Sequence, residues 1–327
     1  MNEKKLPAAA EFVLTRRSTC ALLAIVAFSS QQWALMLGNG VPLLASLLLL
    51  LGMVLHALIP GLFALITLGG GMMFAIQAGL IASLGIFVLS GFLPGLAMVF
   101  LTLFVAVPIL GATVIRRAQG VGRSAAYIAL GMGLAVASSL VAEAAEAGSS
   151  VRELVESMLL PMFDLMSTWA PAGDKEWIRH QQELMVTVFP GLLALTVWMI
   201  WWGNVLLARM LAIEYGFYSG DRKPVLHIRF GKSLAYAAAA LIAITALGDG
   251  DIKYLAGNAA LLAFCLITLQ GVAVAHLWIT MRNLQVLLIM MYLLLMFWPV
   301  AAIPFALLGL LDIWFDYRRN FSPALGG

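Results

Sequence analysis

Glu143 and Glu146 stand three residues apart near the end of an apolar run, a spacing that puts both carboxylates on one helix face. Beside Ser138, Ser139, Ala142 and Ala145 the pair reads in two ways. It is either two carboxylates at a wetted helix end or a proton- or cation-responsive pair at the mouth of an external cavity. Gln270 and His276 share a second apolar run. Gln270 lies deep beside Gly271, where a neighbouring helix can approach and hydrogen-bond, or a ligand can dock; His276 lies near the run's end. Asn204 follows Trp198, Trp201 and Trp202, so large rings gather around one amide, as packing bulk or as walls of an apolar pocket for a flat ligand. Asp312, Asp316, Arg318 and Arg319 close the last apolar run, with Trp314 and Tyr317 among them. They read as a membrane-exit anchor or as a docking tail for a cytoplasmic partner; Arg319 follows Asp316 by three and can pair with it.

Known catalytic patterns are not met. Gly248-Asp249-Gly250-Asp251 contains the Gly-x-Gly-Asp pattern of intramembrane aspartyl proteases, but that chemistry needs a second aspartate on a facing helix, and none is placed mid-span. The chain has no His-Glu-x-x-His, no Gly-x-Ser-x-Gly and no Walker A lysine loop. Cys20 and Cys265 are its two cysteines, both in apolar segments, so neither a disulfide framework nor a metal spacing exists. A non-catalytic protein without metal or cofactor is expected.

The elements that must position these residues are membrane helices. Hydrophobic residues make up 63% of 327 and charged residues 11%, with a mean hydropathy of +1.00, too few charges to clothe a water-soluble domain. A hydrocarbon core of about 30 Å needs roughly 20 apolar residues per helix. Runs at 18–37, 40–58, 62–89, 92–115, 124–147, 187–212, 232–249, 253–276 and 284–313 meet or approach that length. The fold class is therefore all-α, a polytopic transmembrane bundle of eight to nine spans. Gly69-Gly70-Gly71 interrupts the third run and Pro299 with Pro304 the last, where a kink or short hairpin is expected.

Segments 1–17 (cytoplasmic), 18–147 (transmembrane), 148–186 (an amphipathic exterior loop) and 187–319 (transmembrane plus tail) form one membrane domain. In the loop, Val151, Leu154, Leu159, Met162, Leu165 and Met166 approximate a helical stripe, suited to a helix on the membrane surface or a lid. No fixed-period repeat is evident. With the N-terminus inside, thirteen of nineteen Lys and Arg fall in cytoplasmic segments, including Arg116, Arg117, Arg123, Arg209, Arg222, Lys223, Arg229, Lys232 and Arg282. A broken, re-entrant last segment would return Arg318 and Arg319 to that side as well. The net charge of +3 gives no nucleic-acid footprint; the partner implied throughout is membrane lipid.

From Phe264 to Arg319 the chain reads FCLITLQGVAVAHLWITMRN and then LLIMMYLLLMFWPVAAIPFALLGLLDIWFDYRRN. The Leu-Gln-Gly start, the late His, the Tyr of the following helix and the closing Gly-Leu-Leu-Asp-x-Trp-x-Asp-x-Arg resemble the YybS-like family of bacterial multi-pass membrane proteins. That family is similar in turn to the S components of energy-coupling-factor transporters, which bind a small molecule and pair with a transmembrane coupling subunit and two ATPases. S components present an Ala-x-x-x-Ala face on an early helix, whereas Ala21, Ala24 and Ala27 stand three apart here. The resemblance implies a bacterial inner-membrane protein associated with small-molecule binding or uptake. Asn204, Trp198, Trp201, Gln270, His276, Glu143 and Glu146 are its candidate contacts, and the alternative is a non-catalytic scaffold or assembly factor.

Overall fold

In the computed structural model of the chain, residues 8–37, 42–169, 175–218, 220 and 225–318 are described; Arg319 lies outside them. The described residues are helices joined by short turns, with no strand among them. The chain forms two compact units, Met1–Gly131 with Trp198–Lys223 and Met132–Val197 with Pro224–Gly327. The first holds α1 (Ala8–Thr15), α2 (Arg17–Leu37), α3 (Pro42–Gly70), α4 (Met72–Leu89), α5 (Pro94–Val99), a π-helical turn Phe100–Ala106 and α6 (Val107–Arg116). The second holds α8 (Val151–Trp169), α10 (Lys232–Leu247), α11 (Gly250–Met281), α12 (Gln285–Phe297) and α13 (Ala302–Phe315). Helices α7 (Val121–Ala147) and α9 (Lys175–Glu214) contribute one part to each.

Among the described residues, six helices are long and apolar enough to cross a membrane: Ser46–Gly70, Met72–Leu89, Pro94–Arg116, Val121–Ala147, Glu176–Glu214 and Gly250–Met281. The expected run 18–37 forms α2 but is not among the six, since Ser29, Ser30, Gln31 and Gln32 dilute its second half. The boundary expected between 58 and 62 is absent. α3 runs through Pro60 and stops at Gly71, whose φ of 91° needs no side chain and whose Cβ would lie 2.4 Å from Nη1 of Arg116. That guanidinium donates to the Thr67 carbonyl at 3.2 Å and closes the end of α3. The last run, 284–313, divides as expected at its prolines: Pro299 opens a 3-10 turn between α12, of 13 residues, and α13, of 14. Each half is only about 20 Å long at 1.5 Å per residue, short of the hydrocarbon thickness.

The 148–186 stretch is helical and packed. Val151, Val155, Leu159 and Phe163 on α8, a strict four-residue row, are buried with Leu140, Ala144, Ile178 and Val186. Met162, Leu165 and Met166, expected on the same stripe, stay exposed because they lie off that row. Ser150 and Glu153 form a capping box at its start: the Ser150 N–H donates to Glu153 Oε2 at 2.8 Å, and the Glu153 N–H to Ser150 Oγ at 3.2 Å. Asp251 of the Gly-x-Gly-Asp sequence accepts the Val151 N–H at 2.9 Å, which gives that aspartate a capping role. The hydrogen bonds from Ser150 hold the Glu153 carboxyl below its ordinary 4.5. Its contribution is therefore present at neutral pH and lost as pH falls through the lowered folded value. Glu153→Gln should lower the melting temperature at pH 7, and the gap from wild type should close towards pH 3. A gap that persists into acid would refute the part assigned to the carboxylate's charge, since glutamine keeps the box's hydrogen bonds.

Candidate functional site

Three sets of polar contacts shape the molecule's interior, and two of them are the same device. In the first unit, Pro60 removes a backbone donor from α3; Asn204 Nδ2 donates to the carbonyl of Ala57, three residues before that proline, at 2.9 Å, and to its own Ile200 carbonyl at 2.8 Å. In the second unit, Pro190 does the same to α9. Asn258 Nδ2 donates to Thr187 O, again three before the proline, at 3.0 Å, and to its own Tyr254 carbonyl at 2.9 Å. Asn258 Oδ1 accepts the Gly191 N–H at 2.8 Å, and the Tyr254 hydroxyl donates to Val186 O, the carbonyl that Pro190 leaves without its donor. Each proline precedes a glycine, which lets the asparagine come close: a Cβ on Gly61 would lie 2.8 Å from Asn204 Oδ1, and one on Gly191 3.0 Å from Asn258 Oδ1. Asn258→Leu would leave these kinked backbone groups bare. A loss of about 1–3 kcal/mol, read as a lower melting temperature in detergent, is expected, and an unchanged melting curve would refute the clamp.

The tryptophans before Asn204 are buried packing in the first unit. Trp198 and Trp202 stack at 5.3 Å, Trp198 Nε1 donates to Ala125 O at 2.9 Å, and Trp201 Nε1 donates to Leu103 O at 2.6 Å. Leu103 sits in the π-helical turn. Glu143 and Glu146 are exposed near the end of α7, beside the buried Ala144.

The third set lies in the second unit and joins residues far apart in sequence. Gln270, fully buried in α11, accepts the Phe230 N–H on Oε1 at 2.8 Å and donates through Nε2 to Asp312 Oδ2 at 2.7 Å. Arg318 Nε stands 3.4 Å from the same carboxylate oxygen. Its other nitrogens donate to Leu226 O at 2.9 Å and Gln270 O at 3.3 Å. Outside this core Arg229 pairs with Asp316 at 2.9 Å, and both are substantially exposed. Asp316 itself is left-handed, with φ 46°, and turns the chain back after α13. The chain end is thus fastened against the 225–230 segment.

The same unit carries an apolar groove of about 590 Å³ lined by Val274, Ala275, Trp278, Leu287, Met290, Phe305 and their neighbours, with Tyr317 at its edge. Three features hold it. Asn283, at φ 57°, ends α11 in a Schellman turn, with Leu284 N–H to Ile279 O at 3.2 Å and Asn283 N–H to Thr280 O at 3.0 Å, which reverses the chain into α12. Nδ1 of His276 and the Tyr292 hydroxyl share a hydrogen bond of 2.8 Å between α11 and α12. Gly271 and Gly309 let α11 and α13 touch backbone to backbone; a Cβ on Gly271 would fall 1.7 Å from Phe305 O. Gln270, Asp312, Asp316 and Arg318 therefore meet at the 225–230 segment, and His276 joins α11 to α12; none of the five lines the groove, while Asn204, Trp198 and Trp201 belong to the first unit's clamp.

Asn258, Tyr254, Pro60 and Pro190 were missed as a set. Their signal is present: Pro-Gly-Leu-x-Ala-Leu occurs at 60–65 and 190–195, and Gly-Asn at 203–204 and 257–258. The unequal spacing hides it from a search for a fixed period.

The chain belongs to the DUF2232 family, described as a predicted membrane protein, whose family profile matches residues 41–313. No curated protein and no solved structure matches it.

Proposed function

We propose that this chain is a non-catalytic, multi-pass protein of the bacterial cytoplasmic membrane that binds a small amphiphile in the α11–α13 groove. The groove carries the reading. Its volume lies within the range of about 300–1,000 Å³ typical of ligand sites, and its walls are almost wholly apolar. The resemblance to YybS-like proteins, and through them to substrate-binding S components, supports the same class of role and adds uptake through coupling subunits. Ala21, Ala24 and Ala27 are buried in the first unit, so such subunits would dock on another face.

Topology follows from charge and contact. Eight crossings, by α2, α3, α4, α5–α6, α7, α9, α10 and α11, start from a cytoplasmic N-terminus and leave the basic segments around Arg116, Arg229 and Arg282 inside. α12 and α13 follow one another antiparallel to α11, and the chain turns back at Asp316 before completing a ninth crossing. Arg318 at the Leu226 carbonyl and Asp316 at Arg229 support this, since they put the chain end beside the 225–230 segment.

Native mass spectrometry of the detergent-purified protein tests the function. Wild type should carry a co-purified amphiphile, and Ala275→Trp, which fills the groove, should lose it while keeping its melting temperature. Identical adducts on both proteins would refute the reading.

A further inference from the structure

We infer that the occupant of this groove is an anionic phospholipid, one acyl chain lying between α11, α12 and α13 and its headgroup held at Arg282. The inference rests on the amphiphile reading above and adds the headgroup class. The groove's size and almost wholly apolar lining suit an acyl chain. The groove shares Leu287 and Met290 with a second hollow lined also by Asn283, Leu284, Gln285 and Val286, at the turn between α11 and α12. Asn283 and Gln285 bring amide side chains to this second hollow.

Arg282 caps α11 at that turn. Its guanidinium lies 5.2 Å from the ring centre of Trp278, and Trp278 is itself a groove wall. The cation is exposed, and among the described residues it closes no ion pair. The carboxylates of the chain end do not neutralise it, because Asp312 is engaged by Arg318 and Asp316 by Arg229. An uncompensated cation at the polar mouth of an apolar trough matches an anionic headgroup on an apolar tail. Trp278 and Tyr317 at the trough's edge suit the depth at which headgroup meets chain. A basic residue facing anionic lipid contributes about 1 kcal/mol, a preference of about fivefold.

The test uses the full-length protein in mild detergent, with dioleoyl phosphatidylglycerol and dioleoyl phosphatidylcholine as competing probes read by native mass spectrometry. Wild type should retain the anionic lipid about fivefold over the zwitterionic one. Arg282→Gln should bring the two to parity without weakening retention of phosphatidylcholine, and Arg282→Lys should restore the preference. Ala275→Trp should lose both lipids. Parity in wild type, or a preference that survives in Arg282→Gln, would overturn the headgroup assignment while leaving the groove reading intact. Retention of neither lipid by wild type would overturn both.

Discussion

Gly309→Val should yield no monodisperse protein. A Cβ at Gly309 would lie 2.0 Å from the Ile267 carbonyl oxygen, and its own amide nitrogen is the atom that a Cβ on Gly271 would meet at 2.8 Å. The atoms in the way are backbone, so no rotamer change relieves the clash. α11 and α13 would have to separate, and the groove wall and the Gln270–Asp312 bond would go with them. A cost of about 4 kcal/mol or more is expected, enough to exhaust a marginally stable fold. Gly133→Ala, whose new Cβ meets only a Leu262 methyl at 3.4 Å, is the matched control in the same unit. Size-exclusion chromatography in detergent reads both. A Gly309→Val protein that elutes and melts like wild type would refute the close crossing.

Arg318→Met should cost about 3–5 kcal/mol, because it strips the charge partner from Asp312, a carboxylate buried with its side chain only 2% exposed. Asp312→Met should cost a similar amount by stranding the guanidinium. The double variant is the informative one. With both charges gone, stability should recover to within about 1–2 kcal/mol of wild type, as for other buried pairs replaced by apolar groups. Thermal unfolding of the three variants checks this. Additive losses in the double variant would mean that the two residues act apart.

Membrane class was legible at once, since hydropathy and run length reflect the solvent directly. Helix ends were less so. The gap between the runs 40–58 and 62–89 reads as a helix boundary, but Asn204, 144 positions after Pro60, caps a carbonyl the proline kink exposes, and α3 continues. In the sequence Gln270 reads as a deep polar residue, and Asp312 and Arg318 read as parts of a separate tail. Their meeting depends on α12 and α13 being half-length, which Pro299 hinted at and only the packing shows. The groove itself left no trace in the sequence. Its lining residues are ordinary apolar side chains, and what makes them a trough is the reversal at Asn283 together with the Gly271–Gly309 contact.

The most direct measurement is photolabelling in lipid nanodiscs with a phospholipid carrying a diazirine on its acyl chain, mapped by peptide mass spectrometry. Label concentrated on Trp278, Met290 and Phe305, and lost in Ala275→Trp, is the predicted result. Label no denser there than on open lipid-facing positions such as Leu84 and Leu134, both largely exposed, would contradict the account.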